Sequence, residues 1–265
     1  MSYANTTQHR VAYIYNPENQ TRQELIDGFV IRTKIFQRIY RSINSTTLEE
    51  PPQHFLIEGQ RGSGKTSLML RIRYELQAEG DSDLLLVQLP EEQYGIFDLC
   101  RLWENVADYL HNEPGFEDLS NQLDDLVDRE DYPTLCYGVL DTFLVDSGKR
   151  LVLFIDNFGD LLDRFSDIEL KRLRDIFHTS KHIQLIAASA QTLEYTYKHE
   201  QPFFEFFKIV RLKNLSKPEA VALLRQLSNR YGEEKEIDRI AELEPERIET
   251  IRLLRGRTSY GCPVI

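Results

Sequence analysis

Cysteine is scarce in this chain: Cys100, Cys136 and Cys262 are all there is. They stand far apart, with no spacing that suggests a disulfide framework or a zinc site, and this suits a reducing cytosol. A cytoplasmic location is the expectation. The six His are scattered and none has zinc-ligand spacing. Long apolar runs are missing too. No run approaches the 18 residues or so of a membrane span, so no membrane is expected. The opening MSYANTTQHRVAYIYNPENQ is polar and lacks the apolar stretch of a signal peptide. Positive charge is in short supply: 32 basic residues face 43 acidic ones, a net charge of −11. A uniformly acidic surface repels phosphate backbones, so bulk charge gives nucleic-acid binding no support, although a local basic patch stays open. There is no internal repeat and no low-complexity tract.

What is present is enough for one large domain, or one domain with a small appendage, in 265 residues. Hydrophobic residues make up 41% and include 14 Phe and 13 Tyr, so a substantial core can form. Residues 1–20 read as an irregular arm. Thr21 and Glu24 have capping-box spacing and open a short helix. A second helix covers about 32–44, and Pro51 and Pro52 follow in a breaking segment. Short apolar runs then alternate with helical patterns. His54–Ile57 precedes a helix over about 65–78. Leu84–Leu89 precedes a long helical region containing Trp103 and Tyr109. Leu151–Ile155 precedes a second capping box, Ser166 with Glu169, and a helix to about 178. Ile183–Ala188 precedes a helix near 191–200, and Phe207–Leu212 is the last strand. Consecutive apolar residues mark strands buried on both faces, and five of them alternating with helices predict a parallel sheet covered on both sides. After Leu215 the pattern turns helical and charged. Ser216 and Glu219 cap a helix whose stripe is Leu223, Leu224 and Leu227. The expected organisation is an arm at 1–20, an α/β domain at 21–214 and a helical subdomain at 215–265. The aromatic run of Phe203, Phe204, Phe206 and Phe207 reads as core, with a partner surface as the alternative.

The first strand runs straight into GQRGSGKTS, residues Gly59 to Ser67. Gly59, Gly64, Lys65 and Thr66 fit G-x-x-x-x-G-K-[ST] without departure. Glycine admits backbone torsions closed to other residues, so the N–H groups of Gln60, Arg61, Gly62, Ser63 and Gly64 can turn inward on phosphate oxygens. The following helix adds its positive N-terminus. Lys65 is placed for the β- and γ-phosphates and the Thr66 hydroxyl for Mg²⁺. A chance match in a chain of this length is roughly a 1% event, and the strand–loop–helix context makes it rarer. Asp156 ends a buried strand about 90 residues on. There a carboxylate can accept hydrogen bonds from Mg²⁺-bound water. ATP and Mg²⁺ are the expected cofactors. No Asn-Lys-x-Asp guanine signature is present, which disfavours a GTPase.

These two motifs, with the strand Ile183–Ala188 after the second, resemble the additional-strand P-loop ATPases. Within them the chain is similar to the AAA+/STAND branch, near the prokaryotic ATPases that resemble origin-recognition proteins. The residues that carry this are Gly28 to Arg32, LIEGQRGSGKTSL, LFIDNF, LIAAS and RLKNLSKPEAVALL, and the likeness covers about 25–255. The resemblance implies an α/β five-stranded parallel P-loop NTPase sheet in the order 5-1-4-3-2, with a C-terminal helical lid. It implies that Phe29, Val30 and Arg32 contact adenine, although Ile31 stands where the pattern has Gly. It implies that Ser189 senses the γ-phosphate and that a lid arginine (Arg252, Arg255 or Arg257) reaches it. Gly261 and Pro263 match the lid's Gly-x-Pro in letters. A winged-helix domain is expected next in such families and is not part of the sequence, so a truncated chain and a separately encoded partner are both open.

Two features weaken the implied hydrolysis. Family members polarise the attacking water with a Glu beside the metal-binding Asp, and here Asn157 holds that place. It can orient water but takes no proton at neutral pH. Asp160, Glu91 and Glu92 are the carboxylates that can substitute. An arginine finger is implied before the fifth strand, yet YTYKHEQPFFEFF has Lys198 and no Arg. The expectation is an ATP-dependent switch with slow intrinsic hydrolysis and a protein partner. A catalytically weak nucleotide-binding scaffold and a DNA-associated loader are the alternatives. A small-molecule kinase is unsupported by any Arg-rich lid.

Overall fold

The computed structural model describes residues 20–89, 95–190, 192–229, 234–244 and 246–250. They fall into two compact units. One, the loop unit, comprises the described parts of 1–38, 59–74 and 212–265; the other, the sheet unit, comprises those of 39–58 and 75–211.

In chain order the elements are α1 (Arg22–Gly28), α2 (Thr33–Asn44), β1 (Phe55–Glu58), α3 (Lys65–Glu79), β2 (Leu84–Leu89), α4 (Leu99–Leu110), α5 (Leu119–Asp124), α6 (Tyr132–Ser147), β3 (Arg150–Ile155), α7 (Phe158–Leu162), α8 (Asp167–Thr179), β4 (Ile183–Ser189), α9 (Glu194–Tyr197), β5 (Lys208–Arg211), α10 (Lys217–Asn229) and α11 (Glu234–Leu243).

All five strands lie in the sheet unit and pair in parallel, in the order β2-β3-β4-β1-β5. Read from the other edge this is the expected 5-1-4-3-2. The strand runs FLIE and IQLIAAS are buried along their whole length, as consecutive apolar residues require of strands with neighbours on both sides. The two outer strands depart from that expectation. In β2 buried residues alternate with half-buried ones, and β5 buries Val210 alone. An edge strand has a neighbour on one side only, and β5 further carries Lys208 and Arg211, which hold it open to water.

Burial of one face of each flanking helix fixes the sheet unit's core. Leu99, Leu102, Trp103, Val106 and Leu110 form the buried stripe of α4, and Leu170, Leu173, Ile176 and Phe177 that of α8. Trp103 is fully buried, 5.2 Å from the Tyr137 ring and 6.2 Å from that of Phe177. The long helical region predicted around Trp103 and Tyr109 resolves into α4, α5 and α6. Gly148, in the left-handed region at φ 65, ends α6. The helix expected near 191–200 shrinks to the single turn of α9. Its N-cap Leu193 has no capping side chain, and Lys198 is already extended at φ −88, ψ 127.

The three capping boxes read from the sequence are all formed. Glu24 N–H donates to Thr21 Oγ1 at 3.2 Å, Glu169 N–H to Ser166 Oγ at 3.4 Å and Glu219 N–H to Ser216 Oγ at 3.5 Å, each glutamate accepting the return bond. Two of the four residues of the aromatic run are core: Phe203 and Phe207 are buried and stacked 5.6 Å apart, with Phe158 edge-on to both, while Phe204 is half-buried and stacks on His199. Phe206 stacks at 5.0 Å on His54. Among the described residues no helix is long and apolar enough to cross a membrane.

Candidate functional site

In the loop unit, the segment from Gly59 to Gly64 turns between β1 and the start of α3. Gly62 and Gly64 sit at φ 76 and φ 89, torsions that cost a residue with a Cβ dearly. Gly59 is required for a different reason. A Cβ there would lie 2.6 Å from Ser63 Oγ and 3.0 Å from Leu212 Cβ, so the chain closes tightly over this point. The loop is held by Ser63 N–H on the Gln60 carbonyl at 3.0 Å, and Leu68 N–H reaches Gly64 O at 3.0 Å. Gln60, Arg61 and Gly62 form its exposed crest, while Thr66 and Ser67 are half-buried in the first turn of α3.

Two side chains bear on what the loop can hold. Lys65 is buried, and its ammonium folds back over the loop to the carbonyls of Gly59 at 2.9 Å and Gln60 at 3.3 Å. Ser63 Oγ is buried with no hydrogen-bond partner. A buried hydroxyl without a partner is costly and calls for an explanation. An amine poised over a cramped, glycine-shaped turn, an orphaned hydroxyl and a helix N-terminus together make a donor-rich turn of the kind that takes anionic oxygens. The residues present fit a nucleotide phosphate.

Also in this unit, Phe29 closes α1 and meets Phe36 edge-on at 5.9 Å, while Val30 is exposed. Arg32 takes the left-handed backbone itself, at φ 62. Its Nη2 donates to Lys213 O at 2.9 Å and its Nε is buried without a partner. Burial lowers the basicity of this guanidinium, and the nearby Glu219 works against that. In α10, Leu223, Leu224 and Leu227 are half-buried, and Gln226 ties the helix to the Asp27 carbonyl at 2.6 Å. Arg252, Arg255, Arg257, Gly261 and Pro263 lie outside the described residues.

In the sheet unit, Asp156 is buried one residue past β3 and its Oδ1 accepts from Asn157 N–H at 2.9 Å. Asn157 occupies the left-handed region at φ 49, ψ 41 and starts α7. Asp160 is exposed in the first turn of α7. Ser189, buried at the end of β4, is the register partner of Glu58. A Cβ on Gly159 would come 3.6 Å from Ser189 Oγ and 2.6 Å from Leu193 Cδ2, so α7 lies tight against this strand end. Lys198, the cation in the stretch before β5, is exposed and paired with Glu194 at 2.5 Å. Glu91 and Glu92 lie outside the described residues.

One residue escaped the sequence reading. Glu58 is buried, with Oε2 accepting from Arg211 Nε at 3.0 Å and Oε1 buried without a partner. The available signal was an acid closing an otherwise apolar strand, directly before Gly59.

No protein-family model matches the sequence, and no curated protein matches it either. Solved structures do. The Orc1 protein of Aeropyrum pernix in complex with DNA superposes with a TM-score of 0.56 at 13% identity, covering 80% of this chain and 54% of that one. Cdc6p of Pyrobaculum aerophilum gives 0.51 at 12% identity, covering 74% and 49%. The Orc2 protein of Aeropyrum pernix, in ADPNP and ADP complexes, gives 0.51 at 14% identity, covering 74% and 51%. The chain thus spans about half the length of these structures. The likeness bears out the resemblance read from the sequence: the fold is that of P-loop ATPases similar to origin-recognition proteins.

Proposed function

We propose that this chain binds ATP with Mg²⁺ at the loop Gly59–Ser67 and works as a nucleotide-dependent switch with slow hydrolysis to ADP and phosphate. The observation that carries the reading is the Lys65 ammonium, buried and hydrogen-bonded across a loop of left-handed glycines to Gly59 O and Gln60 O. In this reading it exchanges those carbonyls for phosphate oxygens. The backbone of Gln60 to Gly64, the Ser63 hydroxyl and the N-terminus of α3 complete the cradle. Thr66 and Asp156 would hold Mg²⁺, Thr66 directly and Asp156 through its water. The metal supplies neutralisation of the charge on the transferring phosphoryl. Phe29, Val30 and Arg32 are assigned to adenine, and Ser189 to the γ-phosphate. The segment 215–265 acts as a lid, and its closure must differ in affinity for ATP and ADP if the switch is to work. A cytoplasmic location and a protein partner belong to the same proposal.

Slow turnover follows from two residue choices. Asn157 cannot take a proton from water, and no arginine stands in the stretch 195–207 directly before β5. A missing arginine finger alone costs on the order of 10³ to 10⁵ in rate. Lys65→Ala is expected to abolish Mg-ATP binding in calorimetry, and tight binding by this variant contradicts the assignment. Turnover of about 1 per second or faster by the purified chain alone contradicts the slow step.

Asn157 also favours a second reading, a scaffold in which nucleotide only stabilises the fold. A single-turnover assay with labelled ATP separates the two. The Orc1 neighbour was solved with DNA, but the net charge of −11 opposes a DNA role here. Salt-dependent retention on DNA would revive it.

A further inference from the structure

The cysteines have no telling spacing in the sequence, yet the sheet unit brings two of them together. Cys100 lies in the first turn of α4 and Cys136 in the second turn of α6, 36 residues on. Cys136 Sγ–H donates to the Cys100 carbonyl at 3.6 Å, so one sulfur rests against the backbone that carries the other. The two thiols are hydrogen-bonding neighbours as well, a contact that favours the Cys100 thiolate and disfavours that of Cys136.

A second tie repeats the contact one helical turn along. Tyr132 O–H donates to Glu104 Oε1 at 2.6 Å. Four residues forward on α4 correspond to four residues back on α6, so the helices run antiparallel and Cys100 and Cys136 occupy facing positions. Beside the pair, the rings of Trp103 and Tyr137 meet at 5.2 Å. A disulfide demands facing side chains on backbones already in contact. Cys136 is buried in the main core and Cys100 is half-buried against it.

We propose that Cys100 and Cys136 are a redox modification site, closing as a reversible disulfide that latches α4 to α6. The bond closes a ring of chain that contains α5. The half-buried Cys100 meets the oxidant, a small disulfide such as oxidised glutathione, and Cys136 resolves the adduct. Cys100 gives up its proton and its sulfur attacks the oxidant. The oxidant's S–S bond breaks, one glutathione leaves as thiol, and the other stays joined to Cys100. Cys136, deprotonated in turn, attacks the Cys100 sulfur and releases the second glutathione as thiol. The two cysteines lose two electrons to the oxidant, and their two protons end on the glutathione thiols.

At rest the pair is held reduced. Burial pushes the Cys100 thiol up to about 11, and Asp98, Glu104 and Glu169 add to the rise. Burial likewise pushes Cys136 up to about 12, against the hydrogen bond from Tyr132. The thiolate is the nucleophile, so little of it is present near neutral pH. A latch of this kind closes under sustained oxidation, and a disulfide formed only then is compatible with a reducing compartment.

The test uses the full chain with Cys262→Ser, which leaves the pair as its only cysteines. The folded protein is incubated with excess oxidised glutathione at mildly alkaline pH, free thiols are alkylated, and unreduced peptides are mapped by mass spectrometry. The expected product is a monomer lighter by two hydrogens, with the Cys100 and Cys136 peptides joined. Its Tm should rise by several degrees, because the ring restricts the unfolded chain, and dithiothreitol should undo both changes. Adding Cys100→Ser should abolish the cross-link and the gain in Tm; Cys136→Ala serves if that variant does not fold. Two thiols still open to alkylation after treatment of the folded chain overturn the inference. So does a lasting glutathione adduct on Cys100, a cross-link between two chains, or a cross-link that leaves the Tm unchanged or lower.

Discussion

Asn157 has two reasons for its identity, one chemical and one conformational. Its chemistry withholds a general base. Its backbone, at φ 49, asks for a residue that tolerates the left-handed region, and Asn does so better than most. Asn157→Gly is therefore expected to unfold within about 0.5 kcal/mol of wild type, and Asn157→Val to lose about 1–2 kcal/mol, in urea denaturation at pH 7. Equal stability of the two variants contradicts a strained turn. His54 shows the same local logic. Nδ1 accepts from Leu185 N–H at 3.0 Å, so the proton sits on Nε2 and bonds Phe177 O at 2.8 Å. Burial pushes its pKa down to about 4, with His178 adding to the fall and the Phe177 carbonyl opposing it. The folded value lies below the ordinary 6.5, so folding favours neutral imidazole. This stabilisation is complete above about pH 6.5, fades as pH falls, and is gone below about 4; it amounts to about 3 kcal/mol. Urea midpoints between pH 7 and pH 4 measure it, and His54→Gln should flatten that part of the profile.

Elements that carry their own start signals were legible in the sequence. The three capping boxes were visible because donor and acceptor lie three residues apart, and all three exist. Ser166→Ala is expected to cost about 1 kcal/mol in thermal unfolding. The loss concentrates on α8, where Glu169 also anchors Leu99 N–H at 2.9 Å. β2 and β5 were found as strands, but their half-open faces were not foreseen. Edge position follows from strand order, which no local pattern encodes. α9 was overread for the converse reason: helical letters near 191–200 lacked a cap and a buried stripe. The candidate site divides in the same way. Gly59 to Thr66 is contiguous and was read outright. Glu58 was not, since its meaning comes from Ser189 and Arg211, 131 and 153 residues away along the chain and paired with it only across the sheet. Arg32 was singled out, but its torsion and its bond to Lys213 were invisible in the letters.

For the molecule as a whole, ligand linkage offers the broadest check. A nucleotide that binds only the folded chain adds about 2.7 kcal/mol when present at a hundred times its Kd. Mg-ATP should therefore raise the unfolding temperature by several degrees, and EDTA should remove most of the gain. Lys65→Ala should show neither effect. The fold is shared with proteins of which this chain covers only about half, so that architecture alone specifies a platform and leaves the task to its site.

The folded-back lysine has one more consequence. Since its ammonium already rests on two carbonyls, the arrival of a triphosphate is a swap of partners and not a first engagement. The loop is held by its own hydrogen bonds, Ser63 N–H to Gln60 O among them, so association need not wait for the backbone to organise. The heat released on binding should be smaller than the count of new contacts suggests, because two charged hydrogen bonds are surrendered as the others form.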